Sequence, residues 1–108
     1  MNKTIAGQDV DVDVEGYMTD PNAWNGEIAK AIAAELGTGE LTQKHWDVLN
    51  WLREQAAQGV EMNIRKVGGS GLVDIKEFYQ LFPNGPLKNA SKIAGLHKPT
   101  SCLSGAKL

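Results

Sequence analysis

The sequence has a single cysteine, few aromatic side chains and no long apolar run. One thiol, Cys102, cannot form a disulfide within the chain. No apolar run approaches the roughly 20 residues that a membrane-spanning helix needs, and residues 1–7 lack the apolar region of a signal peptide. We therefore expect a cytoplasmic protein with no membrane partner, in which an exposed thiol stays free.

Acidic residues are absent after Glu77, where the chain carries four lysines. Before residue 41 the balance is reversed, with eight acids and two bases. The net charge of −2 argues against general binding to nucleic acid. The basic C-terminal third favours an anion near Cys102, and the thiolate itself is one candidate; an ordinary solvated face is the alternative.

The length of 108 residues predicts one domain, residues 1–108, with one modest core. Residues 3–14 are typical of a β-hairpin, because Val10, Val12 and Val14 alternate with three aspartates. That alternation directs the aspartates to solvent, and their spacing does not fit a calcium loop. We therefore expect no metal site there.

Capping and helix-breaking residues predict about five helices with short connections. The predicted N-caps are Asp20, Thr42 and Asp74. The first two helices are predicted to end at Gly37 and Gly59. The predicted helices cover residues 20–37, 42–57, 60–67, 74–82 and 86–93. The first two have predicted buried stripes at Ile28, Ala29, Ile32, Ala33, Leu36 and at Leu41, Val48, Leu49, Leu52, Ala56. The expected class is mainly α (α+β), a helical bundle with an N-terminal hairpin and a C-terminal tail.

Three tryptophans and one histidine could form a binding platform or a metal site, but packing in the fold explains them better. Trp24, Trp46 and Trp51 are expected in the core or at its edge. His45 has no second ligand-type residue at helical spacing, so we expect a surface or core-edge histidine and not a metal ligand.

Cys102 is the candidate functional residue. Gly95 and Pro99 interrupt any helix, so the thiol is expected on an irregular segment near the C-terminus, where small polar neighbours cannot bury it. Lys98, or Arg65 reaching from the body, would lower the pKa of the thiol and favour the nucleophilic thiolate. A buried, structural cysteine remains the alternative.

Two other activities fit the residues less well. A cysteine hydrolase needs a histidine held in fixed geometry, and His97 lies on the same irregular segment as the thiol. The turn at residues 68–71 suggests a helix-turn-helix, but its second helix carries Asp74 and Glu77 and no arginine. We therefore do not expect DNA as a partner.

Five segments of the sequence resemble the DsrC/TusE family of sulfur-relay proteins. The likeness extends to Leu103. Its most specific parts are Asp-Ile-Lys-Glu-Phe-Tyr-Gln-Leu-Phe-Pro-Asn-Gly-Pro at residues 74–86 and Lys-Ile-Ala-Gly-Leu-His-Lys-Pro-Thr-Ser-Cys at residues 92–102. The other segments are residues 16–24, 41–49 and 63–66. The resemblance implies an N-terminal hairpin, an orthogonal bundle of about five helices with a helix-turn-helix-like unit, and a flexible arm at residues 94–108.

The resemblance also implies a function. The cysteine of the arm, Cys102 here, would accept sulfane sulfur as a persulfide and deliver it to a partner. Lys98 matches the lysine of the arm, and Arg65 matches a basic residue of the body near it. The implied partners are a TusBCD- or DsrEFH-like donor and, as acceptor, a sulfite reductase or a tRNA-thiolating enzyme. No cofactor is implied, and the chain would be a sulfurtransferase-type carrier and not a stand-alone enzyme.

Two positions and the C-terminal end depart from the family. Ser91 stands where DsrC has a second cysteine, which places the chain in the single-cysteine, TusE-like branch that serves 2-thiouridine formation in tRNA. In the family the cysteine is next to last, whereas here residues 104–108 follow Leu103, and His97 replaces a proline. The alternative is a regulatory or interaction module without two-cysteine redox chemistry, a homologue of the γ subunit of dissimilatory sulfite reductase or a DNA-binding regulator.

Overall fold

A computed structural model describes residues 1–98 and begins with the predicted hairpin. Strand β1, Asn2–Ile5, pairs antiparallel with strand β2, Gln8–Asp11. The two residues between them, Ala6 and Gly7, both have positive φ, which is the geometry of the tight turn that suits a twisted hairpin.

The hairpin is shorter than the alternation of valines predicts. Val12 forms one isolated bridge with Met18, but Val14 is 86% exposed, so the predicted strand is wrong at its end. The reason is local: the Asp13 side chain accepts hydrogen bonds from the backbone N–H groups of Glu15 (2.9 Å) and Tyr17 (3.0 Å). That Asx-type turn reverses the chain before the strand can continue.

Asp20 caps a turn and not the first α-helix. Its side chain accepts from the Asn22 N–H over a 3-10 turn, Pro21–Ala23, and Trp24 then takes an extended conformation. Helix α1 is Gly26–Glu35, and its N-cap is Asn25. The predicted start of α1 at Asp20 is therefore wrong. The helix has its N-cap at Asn25, and the 3-10 turn precedes it.

Four more helices complete the fold. They are α2, Gln43–Ala57; α3, Ile64–Gly68; α4, Ile75–Leu81; and α5, Pro86–Ile93. The predicted caps Thr42 and Asp74 are confirmed, whereas α3 starts later than predicted, at the N-cap Asn63. The hairpin and five helices confirm the predicted class. Of the helices in residues 1–98, none has both the length and the apolarity of a membrane span.

The core lies where α1, α2 and α4 meet α5, which contacts all three. The predicted stripes are buried except at Leu36 and Leu41, which are partly buried, and Ala56, which is exposed. The three tryptophans lie partly buried against the core, as predicted.

His45 is placed more deeply than expected, with only 6% of its surface exposed. Its Nδ1 accepts from the Thr42 N–H (3.0 Å) and its Nε2 lies 2.9 Å from the Leu81 carbonyl oxygen. A backbone N–H can only donate, so the ring is assigned the neutral Nε2–H tautomer. His45 thus joins the start of α2 to the end of α4, a structural role that uses both ring nitrogens.

Candidate functional site

The candidate site is the end of α5 and the five residues after it, 94–98, which we call the arm root. Cys102 itself lies outside the described residues. Ala94 and Gly95 are buried, and Leu96 and Lys98 are partly buried. These residues were assigned to the arm from the sequence, yet each of the four packs against the body.

A glycine turn ends α5 and starts the arm root. The Leu96 N–H donates to the Ser91 carbonyl (3.0 Å) and the Gly95 N–H to the Lys92 carbonyl (3.1 Å), the pattern of a Schellman motif. Gly95 has φ +73°. A Cβ atom built there would lie 2.4 Å from Cδ1 of Trp24, so only glycine fits against the indole.

Two side chains from other elements hold the last carbonyl groups of α5. The Trp24 Nε1–H donates to the Ile93 carbonyl (2.7 Å). Arg53 of α2 donates from Nη1 to the Ala94 carbonyl (2.8 Å) and from Nη2 to the Pro21 carbonyl (3.0 Å). The guanidinium also lies 4.2 Å from the centre of the Trp24 ring. We call this arrangement the Trp24–Arg53 clamp; burial lowers the pKa of Arg53, although a guanidinium stays charged at neutral pH.

Lys98 forms an ion pair with the turn that follows the hairpin. Its Nζ lies 2.9 Å from Oε1 and 2.8 Å from Oε2 of Glu15. The sequence predicted that this ammonium group lies near the Cys102 thiol. In the structure, the group contacts a carboxylate of the body. Part of the charge asymmetry of the sequence is thus an intramolecular match between N-terminal acids and C-terminal bases.

Lys92 reaches the same turn from α5. Its Nζ lies 5.0 Å from the centre of the Tyr17 ring. Burial lowers the pKa of Lys92, and Lys88 lowers it further, while the carboxylates of Glu15 and Asp13 raise it. The turn at residues 13–17 therefore faces two lysines, one on each side of Gly95.

A cavity of about 150 Å³ lies beside the arm root. Ser91, which was predicted to stand in place of a second cysteine, is only 3% exposed and lines it. The other lining residues are mostly apolar: Leu52, Ala56, Gly59, Val60, Glu61, Met62, Leu96 and His97. Ser91 thus lies beside the arm root, because Leu96 and His97 line the same cavity.

Arg65 lies on the exposed surface of α3, three residues beyond the cavity-lining Met62. Gly68, also of α3, packs closely on α4, because a Cβ there would lie 2.6 Å from the Ile75 side chain. Within residues 1–98, no group of three or more His, Cys, Asp or Glu side chains is arranged to hold a metal ion.

The sequence did not single out Trp24, Arg53 or Glu15 as parts of this site. Gly95 was recognised as a helix breaker, and a glycine just after a helix indicates a C-terminal cap. No local signal, however, says which side chains will cover that cap. Arg53 is 41 residues from its partner Ala94, and Glu15 is 83 residues from Lys98.

Comparisons with known proteins agree with this fold. A family model described as "DsrC like protein" matches residues 4–103. Curated relatives include the sulfurtransferase TusE of Salmonella typhimurium, 35% identical over 105 residues, with 90% of this chain and 95% of that protein covered. A TusE homolog of Haemophilus influenzae is 35% identical over 107 residues, covering 92% and 97%.

Solved structures resemble the chain over a similar extent. The DsrC of Allochromatium vinosum has 38% identity and a TM-score of 0.76, with 92% of this chain and 96% of that one covered. The oxidized γ subunit of the dissimilatory sulfite reductase of Archaeoglobus fulgidus has 30% identity and a TM-score of 0.77, with the same coverage.

Proposed function

The chain belongs to the DsrC family, and on that premise we propose that it is a sulfur carrier that accepts sulfane sulfur as a persulfide on Cys102. The curated relatives at 35% identity are sulfurtransferases of the TusE type, and they match over nine-tenths of this chain. That match is the observation that carries the proposal. Cys102 is the one cysteine of the chain, and so the one residue that could hold the persulfide.

A persulfide carrier needs one sulfur atom of its own. The Cys102 thiolate attacks the terminal sulfur of the donor's persulfide, a new S–S bond forms, and the donor's S–S bond breaks to leave a donor thiolate. A thiolate of the acceptor then attacks the terminal sulfur of the Cys102 persulfide, and the Cys102 thiolate leaves. Neither step requires an external oxidant or reductant. Ser91 supports this chemistry over a two-cysteine cycle, because a hydroxyl cannot form a disulfide.

The partners we propose are a sulfurtransferase donor and an acceptor protein, with sulfur passing toward tRNA 2-thiouridine synthesis or a related pathway. Lys98 and Arg65 would favour the thiolate and persulfide anions over their protonated forms. For Lys98 that role requires release from Glu15, or sharing of its ammonium protons between the carboxylate and the sulfur. The short stretch of chain between Lys98 and Cys102 supports this role, because four residues span at most about 14 Å between their Cα atoms.

Intact mass measurement after treatment with a low-molecular-weight persulfide tests the proposal. The wild-type chain should gain one sulfur atom per molecule, and dithiothreitol should remove it. Cys102→Ser should gain none, whereas the matched control Ser101→Ala, next to the thiol, should behave as the wild type. A gain that survives Cys102→Ser would contradict the proposal. A chain that gains none yet still captures reductase subunits would favour the interaction module.

A further inference from the structure

Apolar side chains form most of the wall of the cavity beside the arm root. They come from α2, from the segment that follows it and from the arm root: Leu52, Val60, Met62 and Leu96. The volume of about 150 Å³ equals that of a dry apolar cavity which accommodates one benzene molecule. Glu61 and His97 also line the cavity, but both are exposed, so they lie at its mouth.

Ser91 supplies a polar group inside this wall. The residue is 3% exposed and lines the cavity, and its hydroxyl forms no hydrogen bond with any other group in residues 1–98. Buried hydroxyl groups are normally hydrogen-bonded, because burial without a partner is costly. A water molecule satisfies this one poorly, since buried water needs two to four polar partners. The hydroxyl therefore indicates a ligand that brings its own hydrogen-bonding group.

From the size, the apolar wall and the Ser91 hydroxyl, we propose that this cavity binds a phenolic ring. The ring packs against the apolar side chains, and the phenol hydroxyl forms a hydrogen bond with Ser91. The Met62 thioether favours an aromatic ring over an aliphatic one, because contacts between sulfur and aromatic rings are attractive. The ligand is uncharged, because none of the buried residues among the described lining is charged.

A phenolic ring of this kind comes either from a free phenol or from a tyrosine side chain of another protein. Both present the same atoms to the cavity, so the chemistry of recognition is the same. The proposal concerns described residues of the body, and it does not depend on the carrier function of Cys102.

Two small probes, p-cresol and toluene, test the two parts of the proposal separately, because they differ only in the hydroxyl group. Each is titrated into the full-length chain, and the methyl NMR signals of Leu52 and Leu96 are followed. Both probes should give saturable shifts, with a dissociation constant of about 1 mM for p-cresol. Ser91→Ala should weaken p-cresol binding by about fivefold and leave toluene binding within about twofold of the wild type.

A third probe, N-acetyltyrosine amide, distinguishes the two sources of the ring. It presents the phenol on a peptide backbone, as a partner protein would. Saturable shifts of the same methyl signals would assign the cavity to a tyrosine that protrudes from a partner. Binding of p-cresol without binding of N-acetyltyrosine amide would assign it to a free phenol.

A matched pair of variants locates the binding. Ala56 and Ala57 are neighbours at the end of α2 and both are exposed, but only Ala56 lines the cavity. Ala56→Leu should weaken p-cresol and toluene by about tenfold, because the added methyl groups occupy ligand space. Ala57→Leu should leave both unchanged. Absence of saturable shifts at about 10 mM p-cresol, equal weakening of both probes by Ser91→Ala, or equal effects of the two alanine substitutions would overturn the proposal.

Discussion

At the scale of single residues, Gly95 constrains the site most tightly. It combines a left-handed backbone, φ +73°, with contact distances that leave no room for a side chain. Within residues 1–98, the other left-handed glycines meet only the first condition. Gly37, for example, has φ +75° and nothing within 4 Å of a built Cβ.

The substitution Gly95→Ala should therefore cost more than Gly37→Ala. Each introduces the left-handed strain of about 1–2 kcal/mol. Gly95→Ala also displaces the Trp24 indole and weakens its hydrogen bond to the Ile93 carbonyl, which adds about 1–2 kcal/mol. Urea denaturation of the two variants measures the difference in the free energy of unfolding, and equal losses would contradict the packing described for Gly95.

At the scale of elements, α5 is held at its end by neighbours from other parts of the chain. The Trp24–Arg53 clamp satisfies the Ile93 and Ala94 carbonyls, two of the four that a helix leaves without internal partners. The clamp thereby fixes the direction in which the chain leaves the bundle toward Cys102.

Arg53→Met should loosen that end selectively. The substitution keeps an unbranched apolar side chain but removes two charge-assisted hydrogen bonds and the contact with the Trp24 ring, together worth about 2–4 kcal/mol. Amide hydrogen exchange at Gly95 and Leu96 should accelerate by about tenfold or more. The amides of Gly59 and Val60, which make the corresponding hydrogen bonds at the end of α2 without the clamp, serve as the internal control. Equal acceleration at both helix ends would show global destabilisation and contradict a local role.

The elements also show which parts of the fold a sequence can predict. The caps of α2 and α4 were correct because Thr42 and Asp74 act on backbone groups within three residues. The start of α1 was wrong because Trp24 leaves the helical conformation, and its indole bonds to Ile93, 69 residues away. The burial of His45 was underestimated for the same reason, because its partner Leu81 is 36 residues away.

At the scale of the whole molecule, the charge asymmetry of the sequence has a structural explanation. The acidic N-terminal segment and the basic C-terminal segment meet at residues 13–17, where Glu15 pairs with Lys98 and Lys92 lies close by. The sequence suggested an anion for the C-terminal lysines, and it named the thiolate. It could not identify Glu15, because no local pattern brings together residues at opposite ends of a chain.

The proposed functional residue, Cys102, was predicted from composition and family likeness, without help from the fold. Cys102 is the one thiol of the chain, and the family motif ends on it. The fold adds the features at the end of α5: the glycine turn, the Trp24–Arg53 clamp, the Lys98–Glu15 ion pair and a cavity lined by Ser91. Those features depend on long-range packing, and so they required a structure.

The most direct test of the carrier function is the state of the thiol in the cell. The chain should be isolated under mild alkylation, which caps thiols and persulfides before they exchange, and the peptide containing Cys102 should then be weighed. We predict a fraction of that peptide with one extra sulfur atom between Cys102 and the alkyl group, lost after reduction. A peptide that never carries the extra sulfur, from cells actively thiolating tRNA, would contradict the account.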